Sequence, residues 1–455
     1  MKKFSAILLV VIMLMAMTAT AFATAAELEE NNEEGVAGNW NAADTERVQA
    51  DSINIKKEII AFNPNSTTVH APVITYTYTV TPASVSEITV TDEATDHDPE
   101  TAVNAPVKAG LTTGLVVTGA NAAGTAVAGS AGDASSAIGT LVFDNTSTWT
   151  TATAGDTNEY DINLDFSNVS FTQPGVYRYQ IAETISATSY DVIAMEDGGY
   201  NTVYLDVYVD GNLDIYGYVC MTANASVTPA TDKINGFVDG TAADGADKYY
   251  TYDLTLSKDV VNDTYAATNT TFPFTVIFNN TESYTSTFTI EQTVGTGSTG
   301  LTTLTGLPTA WNGVALVKDG NATAGTTVGD ITITGIPAGV DVDVYETNIA
   351  TGVTYTVETS VNGGTAVTDN NVTWGSVPAS AVAQTTKADC ESTKASVDTT
   401  KISAVSATQT VEITNTLLLI SPTGVALRVA PYALMLVGGI VLLFVSRRRK
   451  AKAEE

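Results

Sequence analysis

Val73-Ile74-Thr75-Tyr76-Thr77-Tyr78-Thr79-Val80 sets threonine against large apolar or aromatic residues, position by position. A strand sends successive side chains to opposite faces, so this run predicts a β-strand with one packed face and one polar face. Thr202-Val203-Tyr204-Leu205-Asp206-Val207-Tyr208-Val209 and Phe272-Pro273-Phe274-Thr275-Val276-Ile277-Phe278 have the same β-branched and aromatic character. Asp210-Gly211-Asn212 and Asn362-Gly363-Gly364 supply the residues that tight hairpins need. Between residues 51 and 417 no long stretch repeats every 3.6 residues. The fold class read from this pattern is all-β, built as antiparallel sandwiches.

A weak internal repeat divides that region. Ile53-Asn54-Ile55-Lys56-Lys57-Glu58 can be laid on Leu254-Thr255-Leu256-Ser257-Lys258-Asp259. Each is followed by an aromatic-rich strand, and each half later has a Gly-led strand that reaches a glutamate: Gly175 to Glu183, and Gly339 to Glu346. Two domains are expected, 51–246 and 247–417, with the junction at Tyr249–Asp253. Gly119–Gly139, rich in Ala, Gly and Ser, reads as a long loop or edge insertion, and residues 26–50 as an acidic leader.

The two ends read as addresses. Lys2-Lys3, the apolar stretch Ala6–Met17 and a small-residue site at Ala21-Phe22-Ala23 or Ala23-Thr24-Ala25 make residues 1–25 a secretory signal peptide. Val429–Val445 is close to the shortest run, roughly 17 residues, that spans a bilayer. Arg447-Arg448-Arg449-Lys450 after it would stay cytoplasmic, which puts the bulk of the chain outside the cell. With 50 acidic against 20 basic residues and a formal charge of −30, nucleic acid is excluded as a partner, since phosphate binding needs clustered cations. Cys220 and Cys390 are too few and too far apart for a disulfide framework. Metal-ligand spacing and enzyme motifs are absent; His97, in Asp96-His97-Asp98, has no second cluster to support it. No cofactor, metal site or enzymatic activity is expected.

Ser421-Pro422-Thr423-Gly424, the apolar span and the basic tail together resemble the LPxTG-type sorting signal of sortase substrates, over residues 418–455. That resemblance implies cleavage between Thr423 and Gly424 and transfer of the Thr423 carbonyl to an amine. The first domain resembles the streptococcal-type (FctA-like) major pilin domain through Pro72–Pro82, Pro174–Tyr179 and Tyr204–Val209. The second resembles the immunoglobulin-like, CnaB-type domain that often follows it. Both families carry intramolecular isopeptide bonds between a lysine and an Asn or Asp, assisted by a buried carboxylic acid.

The chemistry has definite requirements. The amine must be neutral to attack, and burial lowers a lysine's pKa. The acid must stay protonated in the same apolar site. Strand parity puts Lys57 on the face of Ile53 and Ile55, and Lys258 on the face of Leu254 and Leu256, so both point inward while Lys56 points out. Asn415 shares parity with Val411 and Ile413. The expected clusters are Lys258, Glu346 and Asn415 in the second domain, and Lys57, Glu183 and Asp239 in the first, with Asn235 as the other acceptor. A plain lysine–glutamate ion pair is the alternative for each.

By resemblance the chain is a structural subunit of a sortase-assembled, wall-anchored pilus of a Gram-positive cell. Its expected partners are sortase, copies of itself, peptidoglycan and a host-surface ligand, with the membrane involved only before sortase cleavage. The alternative is a monomeric wall-anchored adhesin. Polymerisation needs an acceptor lysine. Lys233 is the first choice, with Lys108 and Lys248 as competitors.

Overall fold

The computed structural model describes residues 26–27, 50–84, 88–91, 102–120, 126–144, 146–185, 195–196, 199–224, 234–238, 245–263, 272–280, 288–294, 298–304, 309–316, 331–346, 354–373, 395–397, 407–418, 435–437 and 439–442. The protein is all-β, arranged in packed sheets. Short helical pieces occur only at 435–437 and 439–442 among the described residues, and none of these is long and apolar enough to cross a membrane. The signal peptide and most of the 429–445 span lie outside the described residues.

The first half has two layers. In one, Ser52–Phe62 pairs antiparallel with Asp156–Asp165, which continues to Val116–Ala120 and Ala126–Ala128. The other runs Ala137–Phe143, Ile74–Ala83, Gly175–Ile185, Thr202–Val209, Ile215–Met221, all antiparallel. Alternation decides what is buried: Ile74, Tyr76, Tyr78 and Val80 face the core, while Thr75, Thr77 and Thr79 are only partly covered. Asp210 caps its hairpin by accepting from the amides of Asn212 (2.8 Å) and Asp214 (3.0 Å). Asn362 and Gly363 take the left-handed conformations, φ 53° and 63°, that a tight turn between Thr354–Val361 and Val367–Thr373 requires.

The second half repeats the plan. Asp247–Val261 pairs antiparallel with Ile331–Pro337, itself next to Phe288–Val294. The facing layer runs Thr309–Leu316, Phe272–Asn280, Val340–Glu346, Ala395–Val397.

One feature differs from the sequence reading. The sandwiches are not purely antiparallel: Asp247–Val261 runs parallel to Ser52–Phe62 at Ile59–Phe62, and parallel to Gln409–Leu417 from Leu254 onward. Alternation reports faces, not directions, and a parallel pair needs a long crossover that no local pattern signals. Of the two readings of Gly119–Gly139, the edge insertion is the one the structure shows, since Ala126–Ala128 ends one sheet and Ala137–Phe143 ends the other. Its small residues allow close approach: a Cβ on Gly119 would lie 1.9 Å from the Thr140 carbonyl oxygen.

The Asp247–Val261 strand passes from the first sandwich into the second, and Asp253 sits at the crossing with 1% exposure. Its Oδ1 accepts from Asn63 Nδ2 (2.8 Å) and the Gly335 amide (3.2 Å), and its Oδ2 from Ser66 Oγ (2.8 Å). Burial raises the Asp253 pKa, against the pull of those hydrogen bonds. A carboxyl raised on folding favours the protonated fold, so its contribution is complete below about pH 4 and is lost as pH rises through the folded value. Asp253→Asn keeps an acceptor and carries no charge, so it should match or exceed the parent at neutral pH. Asp253→Ala strands two buried donors and should lose roughly 2–5 kcal/mol. Thermal melts at about pH 5 and about pH 8 check both, with the gap between parent and Asn variant widening as pH rises.

Candidate functional site

Lys57 lies on Ser52–Phe62, whose inward residues Ile53, Ile55 and Ile59 are wholly buried, and it is itself 0% exposed. Lys56 faces outward and pairs with Glu159 at 2.9 Å. An isolated buried ammonium would be costly, and Lys57 Nζ is met by Glu183 Oε1 at 2.9 Å and Asp247 Oδ2 at 3.0 Å. The rings of Tyr76 and Phe237 lie 5.0 and 5.8 Å from Nζ. Tyr76 donates its hydroxyl to Asp247 Oδ2 at 2.7 Å. Burial pulls the Lys57 pKa down, but the charges of Glu183 and then Asp247 outweigh it, and the net direction is upward. Burial raises the Glu183 pKa, opposed by Lys57. One cation beside two carboxyls is neutral when one carboxyl keeps its proton, and Glu183 is the group pushed towards keeping it.

The second cluster is simpler. Lys258, 4% exposed, sits 3.4 Å from Glu346 Oε2. Glu346 Oε1 accepts from Asn415 Nδ2 at 2.8 Å, so one carboxyl bridges amine and amide. Burial lowers the Lys258 pKa to about 8 despite the attraction of Glu346. Burial also raises the Glu346 pKa. Amine and acid are thus both displaced towards their neutral forms, the pair of states that acyl transfer needs. Asn415 Oδ1 is buried and makes no hydrogen bond among the described residues. Such a group ordinarily costs about 1–3 kcal/mol.

The two clusters share one construction. In each, the acceptor strand runs parallel to the lysine strand, and the acceptor stands opposite the residue two past the lysine: Asp247 opposite Ile59, and Asn415 opposite Val260. Residues i and i+2 share a face, so lysine and acceptor project into the same core. The glutamate comes from the facing layer each time, Glu183 opposite Tyr78 and Glu346 opposite Phe274.

Lys57 and Glu183 meet, as do Lys258, Glu346 and Asn415. Asp239 lies outside the described residues, and the carboxylate brought to Lys57 is that of Asp247. Gly236–Phe237 does run beside Lys56 and Lys57, and Asn235 gives its backbone carbonyl to the Lys56 amide at 2.9 Å. Sequence reasoning missed Asp247 because it opens the strand assigned to the second domain. The repeat held the clue: Asn415 closes its half on a last strand, and the first half's corresponding partner strand is the beginning of the next half. Lys233 and Ser421, Pro422, Thr423 and Gly424 lie outside the described residues. Lys108 donates to the Pro174 carbonyl and lies 5.2 Å from the Tyr177 ring centre. Cys220 is buried, its thiol pushed up to about 12 by desolvation, and Cys390 is outside the described residues.

No protein-family model matches the chain, and no curated protein matches it. Among solved structures, the chain is similar to the major pilin protein T-13 of Streptococcus pyogenes, at 17% identity and a TM-score of 0.33 over 81% of this chain and 100% of that one. The T3.2 major pilin of the same species matches at 16% identity and a TM-score of 0.34, over 81% and 99%. An adhesin of Mobiluncus mulieris containing intramolecular disulfide, isopeptide and ester cross-links matches at 13% identity and a TM-score of 0.22, over 81% and 99%.

Proposed function

We propose that this chain is the structural subunit of a covalently assembled surface pilus, its two sandwich units each closed by an internal amide. The observation that carries the reading is the repeated geometry: a buried lysine, a buried glutamate from the facing layer, and an acyl side chain at the same register in both halves. Two clusters built alike around buried charge would be an expensive way to make ion pairs, since a buried pair is commonly no better for stability than apolar packing. As the two reactive groups of an amide-forming pair, lysine and acceptor have a reason to be there.

In the second unit the neutral Lys258 amine attacks Cγ of Asn415. The Nζ–Cγ bond forms, Glu346 takes the amine proton and protonates Nδ2, and Cγ–Nδ2 breaks with loss of ammonia. In the first unit Lys57 and Asp247 condense with Glu183 as the proton relay. An oxygen of Asp247 leaves as water, and the acceptor role passes from Asp239 to Asp247. The Asp247–Val261 strand serves both units, pairing first with Ser52–Phe62 and then with Gln409–Leu417, so Asp247 would close the first while Lys258, on the same strand, would close the second.

The ends complete the proposal: export by residues 1–25, retention by 429–445, and sortase cleavage after Thr423. The Thr423 carbonyl would pass to a lysine of the next subunit, with Lys233 favoured, and finally to peptidoglycan. Amide-linked subunits carry tension through covalent bonds, so small contact areas between them suffice. Wall extracts boiled in SDS should show a ladder of subunit multiples. Digested fibres should give a branched peptide ending Ser421-Pro422-Thr423 on Lys233. Branching at Lys108 or Lys248 would move the acceptor and keep the pilus. Monomers attached only to wall peptide would replace the pilus by a monomeric adhesin.

A further inference from the structure

We infer that Tyr76 is a catalytic residue of the first cluster: its hydroxyl, 2.7 Å from Asp247 Oδ2, holds the oxygen that becomes the oxyanion when Lys57 attacks. The inference rests on the amide-forming reading above. Tyr76 is wholly buried on Ile74–Ala83, the strand beside the one carrying Glu183. Its ring stands 5.0 Å from the attacking nitrogen and its O–H reaches the carboxyl under attack, so one side chain touches both reactants.

The second cluster makes the contrast. There Asn415 Oδ1, the equivalent carbonyl oxygen, makes no hydrogen bond among the described residues. Tyr76 lies two residues before Tyr78, which pairs with Glu183; two residues before Phe274, which pairs with Glu346, stands Phe272, a ring without a hydroxyl. The donor therefore accompanies the harder acceptor. A carboxyl group paired with a lysine is a poor acyl donor, and a fixed donor aimed at the charge-gathering oxygen offsets that in a dry site.

The step balances without a co-reactant. The Lys57 ammonium passes one proton to the Asp247 carboxyl, which carries it on Oδ1; the neutral amine then adds to Cγ of Asp247, and charge gathers on Oδ2 under the Tyr76 hydrogen bond. Glu183, which holds a proton, gives it to Oδ1 and takes one from the nitrogen in return, so that Oδ1 carries two. Oδ1 leaves as water, Oδ2 reforms the carbonyl, and Tyr76 keeps its proton throughout. Glu183 moves protons and Tyr76 holds charge, so the two roles do not overlap.

The full chain can be made by cell-free translation, quenched in acid at intervals and digested. The Lys57–Asp247 and Lys258–Asn415 branched peptides are then timed in one sample. Tyr76→Phe removes one oxygen and keeps the ring. The first branch should form about 10²-fold more slowly, the usual effect of deleting one oxyanion donor, while the second keeps its rate and reports a folded chain. A ring-fluorinated tyrosine at position 76, of near-identical size and greater acidity, should instead speed the first branch several-fold, which a merely structural hydrogen bond would not do. An unchanged first-branch rate in either variant overturns the role of Tyr76. Absence of the first branch from the unmodified chain overturns the amide reading itself, and is read separately from the Tyr76 comparison.

Discussion

Asp247→Ala should abolish the link in the first unit, so its intact mass should equal that of the variant sequence without the loss of about 18 Da, as water, that the parent shows, while Asp239→Ala should keep that loss. The stability effect should be large. A bond between positions 57 and 247 closes a loop of about 190 residues, and chain entropy alone assigns such a loop about 5 kcal/mol. The variant also leaves a Lys57 ammonium in the core beside Glu183, where the linked parent has an uncharged amide, and that buried charge lowers stability further. Lys57→Met separates the two effects, since it abolishes the link without leaving a cation behind. The expected order of thermal midpoints is parent, then Lys57→Met, then Asp247→Ala. A link that survives Asp247→Ala, or disappears in Asp239→Ala, would return the acceptor to Asp239.

Glu346→Gln should abolish the link in the second unit, with the expected loss of about 17 Da missing from the intact mass. Gln fills the volume of Glu346 and can still hydrogen-bond Asn415, but it cannot accept a proton from Lys258 and pass it to the departing ammonia. Packing is preserved, so the stability difference reports the link: a loop of about 157 residues, again about 5 kcal/mol. Glu346→Ala should lose still more, because the Asn415 amide would then be buried without its acceptor. Intact mass and denaturant midpoints measured on the same preparations test both parts. A Gln variant that links at the parent's rate would remove Glu346 from the proton relay.

What the chain determines by itself is local and periodic. The alternation at Val73–Val80 settles which tyrosines are inside, because a strand has only two faces and burial selects one of them. The same parity puts Lys57 and Lys258 among isoleucines and leucines, where the structure buries both, and sends Lys56 to the surface. The Gly-led strands place Glu183 and Glu346 by equally local means, as each follows its strand's inward pattern.

Only the tertiary structure decided which acyl group meets Lys57. Asp247 stands far from Lys57 in sequence and reaches it because the Asp247–Val261 strand lies parallel to Ser52–Phe62 for its first few residues, then turns to serve the second sandwich. Strand direction and partner are set by crossovers between distant segments, whose closure entropy depends only weakly on length and leaves no periodic trace. The hydroxyl of Tyr76 was legible as a buried aromatic and nothing more. Its place against Asp247 comes from two layers packing face to face, a relation that exists only once the sheets have met.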